Sequence, residues 1–358
     1  MPPSSFRKSM SRLLKQQKRW EKGLTRMARA SRAVIAFQAD TLAAFSRPVP
    51  PPRLTEITGF GTNPGGLKMF AYVPPALPRH APLVVVLHGC RQNAEVYERG
   101  AGWTHLARER GFAVLYAEQR RANNPNVCFN WFRPSNVTRD RGEAGSIRQM
   151  ITRMVALHKL DRRRIFITGL SAGGAMTAAM LAAYPELFAG AGIIAGLPFG
   201  AARDVSRALD AMAEPPQRTA REWGDLVRKA TDKPLPKRLP AVSIWHGTED
   251  RTVAFANAEA LAAQWLDVHG LPPEGGRTEK VDGHQRTVWT DMRGEPRVSL
   301  YRIEGMDHGT PLKAGTGPRA REIAGDYMLD AGISSTRHLA DAWGLKKPTL
   351  AAVLQPGR

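Results

Sequence analysis

A serine stands at the bend of a short apolar turn, and the residues around it are of the types a nucleophile needs. Residues 164–185 read Arg-Ile-Phe-Ile-Thr-Gly-Leu-Ser-Ala-Gly-Gly-Ala-Met-Thr-Ala-Ala-Met-Leu-Ala-Ala-Tyr-Pro. A β-branched run meets Gly-Leu-Ser-Ala-Gly, and an Ala/Met/Leu helix follows at once. Strand, sharp turn and helix with Ser171 at the apex make a nucleophile elbow. The bend lifts the hydroxyl above the sheet edge. Gly169 and Gly173 remove side chains that would strike the neighbouring strand and helix, and Gly174 adds room. The helix N-terminus behind Ser171 offers free N–H groups and a positive dipole end to a developing oxyanion. The spacing does not fit Gly-x-Gly-x-x-Gly, and no Lys-Ser/Thr pair follows to make a phosphate loop.

A serine of this kind needs a base and an orienting acid, in the chain order Ser, Asp or Glu, then His. The run 241–245 reads as a buried strand that empties into His246-Gly-Thr-Glu-Asp-Arg-Thr-Val253, and 299–303 reads as a strand that empties into Glu304-Gly-Met-Asp-His-Gly309. Ser171 is assigned as nucleophile, His308 as general base and then acid, and Asp250 as the group that fixes the imidazole tautomer. Glu249 is the immediate rival of Asp250, whose Gly-x-x-Asp-x-x-Val setting favours it. Asp307, next to His308, reads as a turn former. His284 also follows a glycine, but no clear apolar strand precedes it. A histidine base works only while neutral, so activity is expected on the neutral to alkaline side.

The second half of an oxyanion hole is expected after an earlier strand. The continuous apolar run 83–87 suits a central parallel strand and ends in His88-Gly-Cys-Arg-Gln-Asn93. The backbone N–H groups of Cys90 and Ala172 are predicted to hold the oxyanion, with His88 as a hydrogen bonder inside the turn. Trp131, Trp245 and Met306 fall near these loops in sequence and are expected to line the substrate cleft, although an equal case places such side chains in the core.

These loops need a sheet to carry them. Apolar runs at 83–87, 112–116, 165–168, 191–195, 241–245 and 299–303 alternate with helical stretches over roughly 300 residues, enough for one doubly wound, mostly parallel sheet. The expected fold class is therefore α/β, of the α/β-hydrolase type. Residues 199–240 mix helical pattern with prolines between two strands and are expected to form a small cap beside the cleft. The domain layout is residues 1–54 as a basic segment with a Pro-rich linker and 55–358 as the catalytic domain.

The chain resembles the polyhydroxybutyrate depolymerase family of esterases, which also includes feruloyl and acetylxylan esterases. The resemblance runs in order over roughly residues 55–312 through Leu87-His-Gly-Cys-Arg-Gln-Asn93, Gly102-Trp-Thr-His-Leu-Ala107, Cys128-Phe-Asn-Trp-Phe132, Thr168-Gly-Leu-Ser-Ala-Gly-Gly-Ala-Met176, Ser243-Ile-Trp-His-Gly247 and Gly305-Met-Asp-His-Gly309. It implies carboxylic-ester hydrolysis through an acyl-serine, with no metal or organic cofactor, and assigns Ser171, Asp250 and His308 to the triad. The implied substrate is a polyester of 3-hydroxybutyrate or its oligomers; the alternative is a feruloyl or acetyl ester on plant polysaccharide. It also implies that Cys90 and Cys128 form a half-cystine pair beside the oxyanion loop, which a reducing cytosol would keep open. No cysteine spacing suggests zinc.

The chain of 358 residues carries a net charge of +20, and residues 1–33 hold ten Lys/Arg against one Glu. Phe6, Met10, Leu13, Trp20, Leu24 and Met27 fall near one stripe at helical spacing, so this segment reads either as a basic amphipathic helix for an anionic or granule surface, or as a solvated tail. On that reading the protein could be chiefly a granule- or surface-binding module with little hydrolase activity, a role that the complete Ser171, Asp250 and His308 set argues against. Basic excess without a recognisable binding module is a weak sign of nucleic-acid binding, and no stretch is long enough to cross a membrane. The basic lead does not make a secretory signal. A cytoplasmic, granule-associated enzyme is expected, with export by another route as the alternative.

Overall fold

The computed structural model describes residues 54–231, 234–315 and 321–346. The basic N-terminal stretch and the Pro-rich linker expected over 1–54 lie outside those residues, apart from Leu54. In chain order the sheet strands are β1 (Thr55–Glu56), β2 (Lys68–Tyr72), β3 (Leu83–Leu87), β4 (Ala113–Glu118), β5 (Ile165–Leu170), β6 (Gly190–Ile194), β7 (Ala241–Gly247), β8 (Arg277–Val281), β9 (His284–Thr290) and β10 (Pro296–Ile303). They lie in the order β1-β2-β4-β3-β5-β6-β7-β10-β9-β8. From β4 through β10 the neighbours run parallel, while β1, β2, β8 and β9 extend the edges antiparallel. The protein is an α/β fold with a mostly parallel central sheet, as its alternating apolar runs predict.

Helices cover the two faces. Residues α1 (Ala94–Ala101) and α2 (Trp103–Arg110) follow β3, α3 (Pro134–Val137) and α4 (Gly142–His158) follow β4, and α5 (Ala172–Ala183) follows β5. Next come α6 (Val205–Ala213) and α7 (Ala220–Arg228) between β6 and β7, α8 (Ala256–His269) after β7, and α9 (Ser335–Ala342) after a small pair of parallel strands, β11 (Thr310–Leu312) and β12 (Met328–Asp330). The period-2 alternation of a strand splits the core in two. Leu83, Val85 and Leu87 join the side chains of α4, α5 and α8 on one face, and Val84 and Val86 join those of α1, α2 and α9 on the other. All five residues of β3 are fully buried, each side chain contributing about 1.5–3 kcal/mol by burial. Every residue of α5 is buried as well, which suits a helix apolar on all sides.

Two features of this topology place the site. The chain leaves β3 toward β4 on one side, whereas β5 lies on the other, so the loops after β3 and β5 part at a switch point where a crevice opens at the strands' C-terminal ends. The insertion between β6 and β7 supplies α6 and α7. Its α6 end is tied to the loop after β7: the amide of Ala254 donates to the Met212 carbonyl at 2.8 Å, and Asn257 Nδ2 donates to the Ala211 carbonyl at 2.9 Å.

Candidate active site

The strand β5 ends at Leu170 and α5 begins at Ala172, so the whole reversal falls on Ser171, with φ 56° and ψ −118°. A side-chain-bearing residue costs on the order of 1–3 kcal/mol in such a conformation. The surroundings hold it there. The Ser171 amide donates to the Ile194 carbonyl at the end of β6 at 2.9 Å, and the Ser171 carbonyl accepts from the Ala175 amide at 2.8 Å. At Gly173 a Cβ atom would lie 2.3 Å from the Leu87 carbonyl oxygen, so only glycine lets α5 seat against the end of β3.

The loop after β7 delivers Asp250 to the loop after β10. A Cβ on Gly247 would sit 2.1 Å from the Met306 carbonyl oxygen, so the two loops touch backbone to backbone. The Glu249 amide donates to that carbonyl at 3.1 Å, while the Glu249 side chain faces solvent. Asp250 is buried. Its Oδ2 accepts from His308 Nδ1 at 2.7 Å, and its Oδ1 accepts from the amides of Thr252 and Val253 at 2.9 and 2.8 Å. Burial resists ionisation of this carboxyl, but hydrogen bonds from His246 and His308 outweigh it and hold the group well below the carboxylate range. Asp307, by contrast, is exposed and caps its own turn, accepting from the amides of Arg251 and His308 at 3.1 and 2.7 Å.

A second imidazole backs this carboxylate, and sequence reasoning left it unassigned. His246 is fully buried, with Nε2 2.8 Å from the Val253 carbonyl and 3.2 Å from Asp250 Oδ2. Both contacts are to oxygen, so Nε2 carries the proton and donates. Its Nδ1 has no partner among the described residues. It lies near the end of the buried strand β7, where nothing local signals a partner for Asp250.

Ser171 and His308 line one cleft of about 300 Å³ at the switch point. Asp250 engages Nδ1 of His308, and no other described residue hydrogen-bonds its Nε2. The loop after β3 forms the facing wall. There His88 is fully buried, its Nδ1–H donating to the Gly89 carbonyl at 2.7 Å and its Nε2 accepting from the Gln119 amide at 3.0 Å. Burial, only partly opposed by the Gly89 bond, pulls the imidazole down to about 4, so it serves the turn as a neutral hydrogen bonder. Cys90 is joined to Cys128 by a disulfide, and both line the cleft. Among the described residues no group hydrogen-bonds to the amide of Cys90, which lines the cleft, or to that of Ala172, the first residue of α5.

The expected apolar walls are elsewhere. Trp245 is fully buried and stacks on Tyr301 with ring centroids 3.5 Å apart, its Nε1 donating to Ser243 Oγ at 2.9 Å. The two rings occupy registered positions on β7 and β10, so Trp245 faces the sheet's other layer. Trp131 packs edge-on against Phe132 in the core, and Met306 is buried behind the Asp250 loop. None of the three lines the cleft. Its walls are Leu170, Met212, Thr252, Asn126, Tyr327 and Arg91 beside the disulfide. Tyr327 arrives from the β12 turn, far along the chain, with its ring edge-on to His308 at 6.1 Å. No sequence signal marked it. Among the described residues, no group of three or more His, Cys, Asp or Glu is placed to share a metal ion, and no helix is long and apolar enough to cross a membrane.

Comparison with known proteins bears on this arrangement. A family model described as Esterase PHB depolymerase matches residues 67–285. Poly(3-hydroxyalkanoate) depolymerase C of Paucimonas lemoignei is 43% identical over 295 residues, which span 82% of this chain and 70% of that protein. Feruloyl esterase B of Thermothelomyces thermophilus is 32% identical over 243 residues, 66% of this chain and 81% of that protein. Among solved structures, the acetyl xylan esterase from Aspergillus awamori aligns with a TM-score of 0.69 at 23% identity, covering 82% of this chain and 100% of that one. That last likeness speaks for the fold.

Proposed function

The chain belongs to the PHB depolymerase esterase family and is a carboxylic ester hydrolase, and from that premise we propose that it cleaves the ester bonds of poly(3-hydroxybutyrate) or its oligomers through an acyl-enzyme on Ser171. The Ser171 hydroxyl attacks the ester carbonyl as His308 Nε2 takes its proton. Asp250 holds Nδ1–H and stabilises the imidazolium that forms. The carbonyl oxygen turns toward the free amides of Cys90 and Ala172, where backbone dipoles meet the developing charge. His308 returns the proton to the leaving alkoxide. Water, deprotonated by the same imidazole, then releases the acid and restores Ser171.

The observation that carries this reading is the hydrogen bond of 2.7 Å between His308 and Asp250 beside a strained serine in one cleft. The polyester substrate is favoured by the 43% identity with a poly(3-hydroxyalkanoate) depolymerase. The Cys90–Cys128 disulfide suits an oxidising compartment, which supports export over the cytoplasmic placement; the granule-binding role expected of residues 1–33 lies outside the described residues. The test is hydrolysis of amorphous poly(3-hydroxybutyrate) and of methyl ferulate by wild type and Ser171→Ala. Release of 3-hydroxybutyrate or its oligomers by wild type alone is expected. Ferulate release without polyester turnover would move the enzyme to plant esters, and equal activity of the two proteins would refute the nucleophile.

A further inference from the structure

Arg91 stands on the cleft wall that carries Cys90, and among the described residues it is the one permanently charged residue lining the cleft. No described carboxylate pairs with its guanidinium, and no described residue hydrogen-bonds to it through its side chain. The backbone beneath it is held in place from several sides. Arg91 sits at φ 63°, its amide donates to the Asn126 carbonyl at 2.8 Å, and the adjoining Cys90 is bonded to Cys128. Across that bridge Val127, a β-branched residue, is also left-handed at φ 48°, a conformation such residues avoid unless the structure imposes it. A loop fixed this firmly carries a cation on the wall of the cleft that Ser171 also lines, where the other described lining residues hold no permanent charge.

We propose that Arg91 is a carboxylate subsite, receiving the free carboxyl terminus of a hydroxyacid oligomer so that the enzyme removes units from that end. The proposal rests on the polyester reading above. In an ester of 3-hydroxybutyrate the leaving unit carries its own carboxylate one methylene from the carbinol carbon, close enough for a residue next to the oxyanion loop. The guanidinium offers a planar pair of N–H donors that match a carboxylate. In the reaction the Ser171 Oγ–acyl bond forms and the ester C–O bond breaks. The serine proton passes through His308 to the departing oxygen, which leaves as 3-hydroxybutyrate still paired with Arg91. Water then cleaves the acyl-serine and releases the shortened oligomer with a new free carboxylate.

The test compares the linear 3-hydroxybutyrate trimer as free acid with its methyl ester, for wild type, Arg91→Gln and Arg91→Lys, with thermal melting to confirm folding. Wild type should favour the free acid about tenfold in kcat/KM, mostly through KM, as one charge-assisted hydrogen-bonded pair allows. Arg91→Gln should bring that ratio close to one, and Arg91→Lys should keep part of it. 3-Hydroxybutyrate should also inhibit wild type competitively, and its amide should not. Equal use of acid and ester by wild type overturns the subsite and leaves the esterase intact, a result that needs no variant to fold. A preference unchanged in Arg91→Gln overturns the assignment to Arg91. Turnover of nitrophenyl esters with neither trimer cleaved sinks the polyester reading and the subsite with it.

Discussion

Among the buried carboxyl groups of the described residues, Asp250 and Glu98 are held in opposite states. Asp250, between β7 and α8, accepts from two imidazoles and two backbone amides and stays ionised far into acid. Glu98, on α1, lies among apolar side chains of the opposite face, with donors from Tyr116 and from the hydroxyl and amide of Thr104. Burial prevails there, against those hydrogen bonds, and pushes the Glu98 carboxyl from 4.5 up to about 7. Exposure is alike for the pair, 9% and 2%, so burial alone does not decide the charge. In this pair the partners differ: Asp250 has two imidazoles, which can carry positive charge, and Glu98 has a phenol and a threonine.

The contrast breaks most visibly at Asp250. Asp250→Asn should lower kcat by roughly 10⁴-fold with the fold retained, because an amide can present N–H to His308 and favour the wrong tautomer. A loss of less than about tenfold would show that His308 is oriented by something else. Next in size is the imidazole behind the carboxylate. His246→Gln should reduce kcat by about 10–100-fold, the worth of one hydrogen bond to a buried charge, and leave KM nearly unchanged. Equal falls in kcat and thermal stability with a raised KM would instead mark His246 as packing.

Glu98→Gln probes the carboxyl that burial keeps protonated. A folded-state value raised to about 7 means that the folded protein keeps a proton the unfolded chain has released. Stability is therefore lost as pH climbs from about 4.5 to about 7, on the order of 3 kcal/mol in total. Asp250 has the reverse sign: its depressed value contributes stability that is present above the unfolded range and lost as pH falls below about 4. Glu98→Gln should accordingly melt several degrees above wild type at pH 8 and close to it at pH 5, with kcat within about twofold. A variant less stable than wild type at pH 8 would mean that the ionised carboxylate is well accommodated after all.

The same contrast explains what the sequence disclosed. Ser171, Asp250 and His308 were legible because each sits in a short local signature, an apolar strand emptying into a glycine-bearing turn. The central strands were legible for a related reason: buried on both faces, they read as unbroken apolar runs such as Leu83–Leu87. The flanking strands were not. β8 reads Arg-Thr-Glu-Lys-Val, with little apolar signal, because one side is a sheet edge and its faces are largely exposed. The cleft walls were illegible because they depend on register and on returns from distant chain. Trp245 stacks on Tyr301 only because β7 and β10 pair at that step, and Tyr327 reaches His308 from a turn beyond β11. His246 hid inside a strand whose alternation gave no reason to expect a third partner for Asp250.

Reaction with a nitrophenyl alkylphosphonate shows whether Ser171 is the nucleophile of this cleft. One equivalent of nitrophenolate per chain, one phosphonyl group mapped by peptide mass to Ser171, and ester hydrolysis lost in step with labelling are expected. A label on another residue, or undiminished ester turnover by Ser171→Ala, would contradict that role.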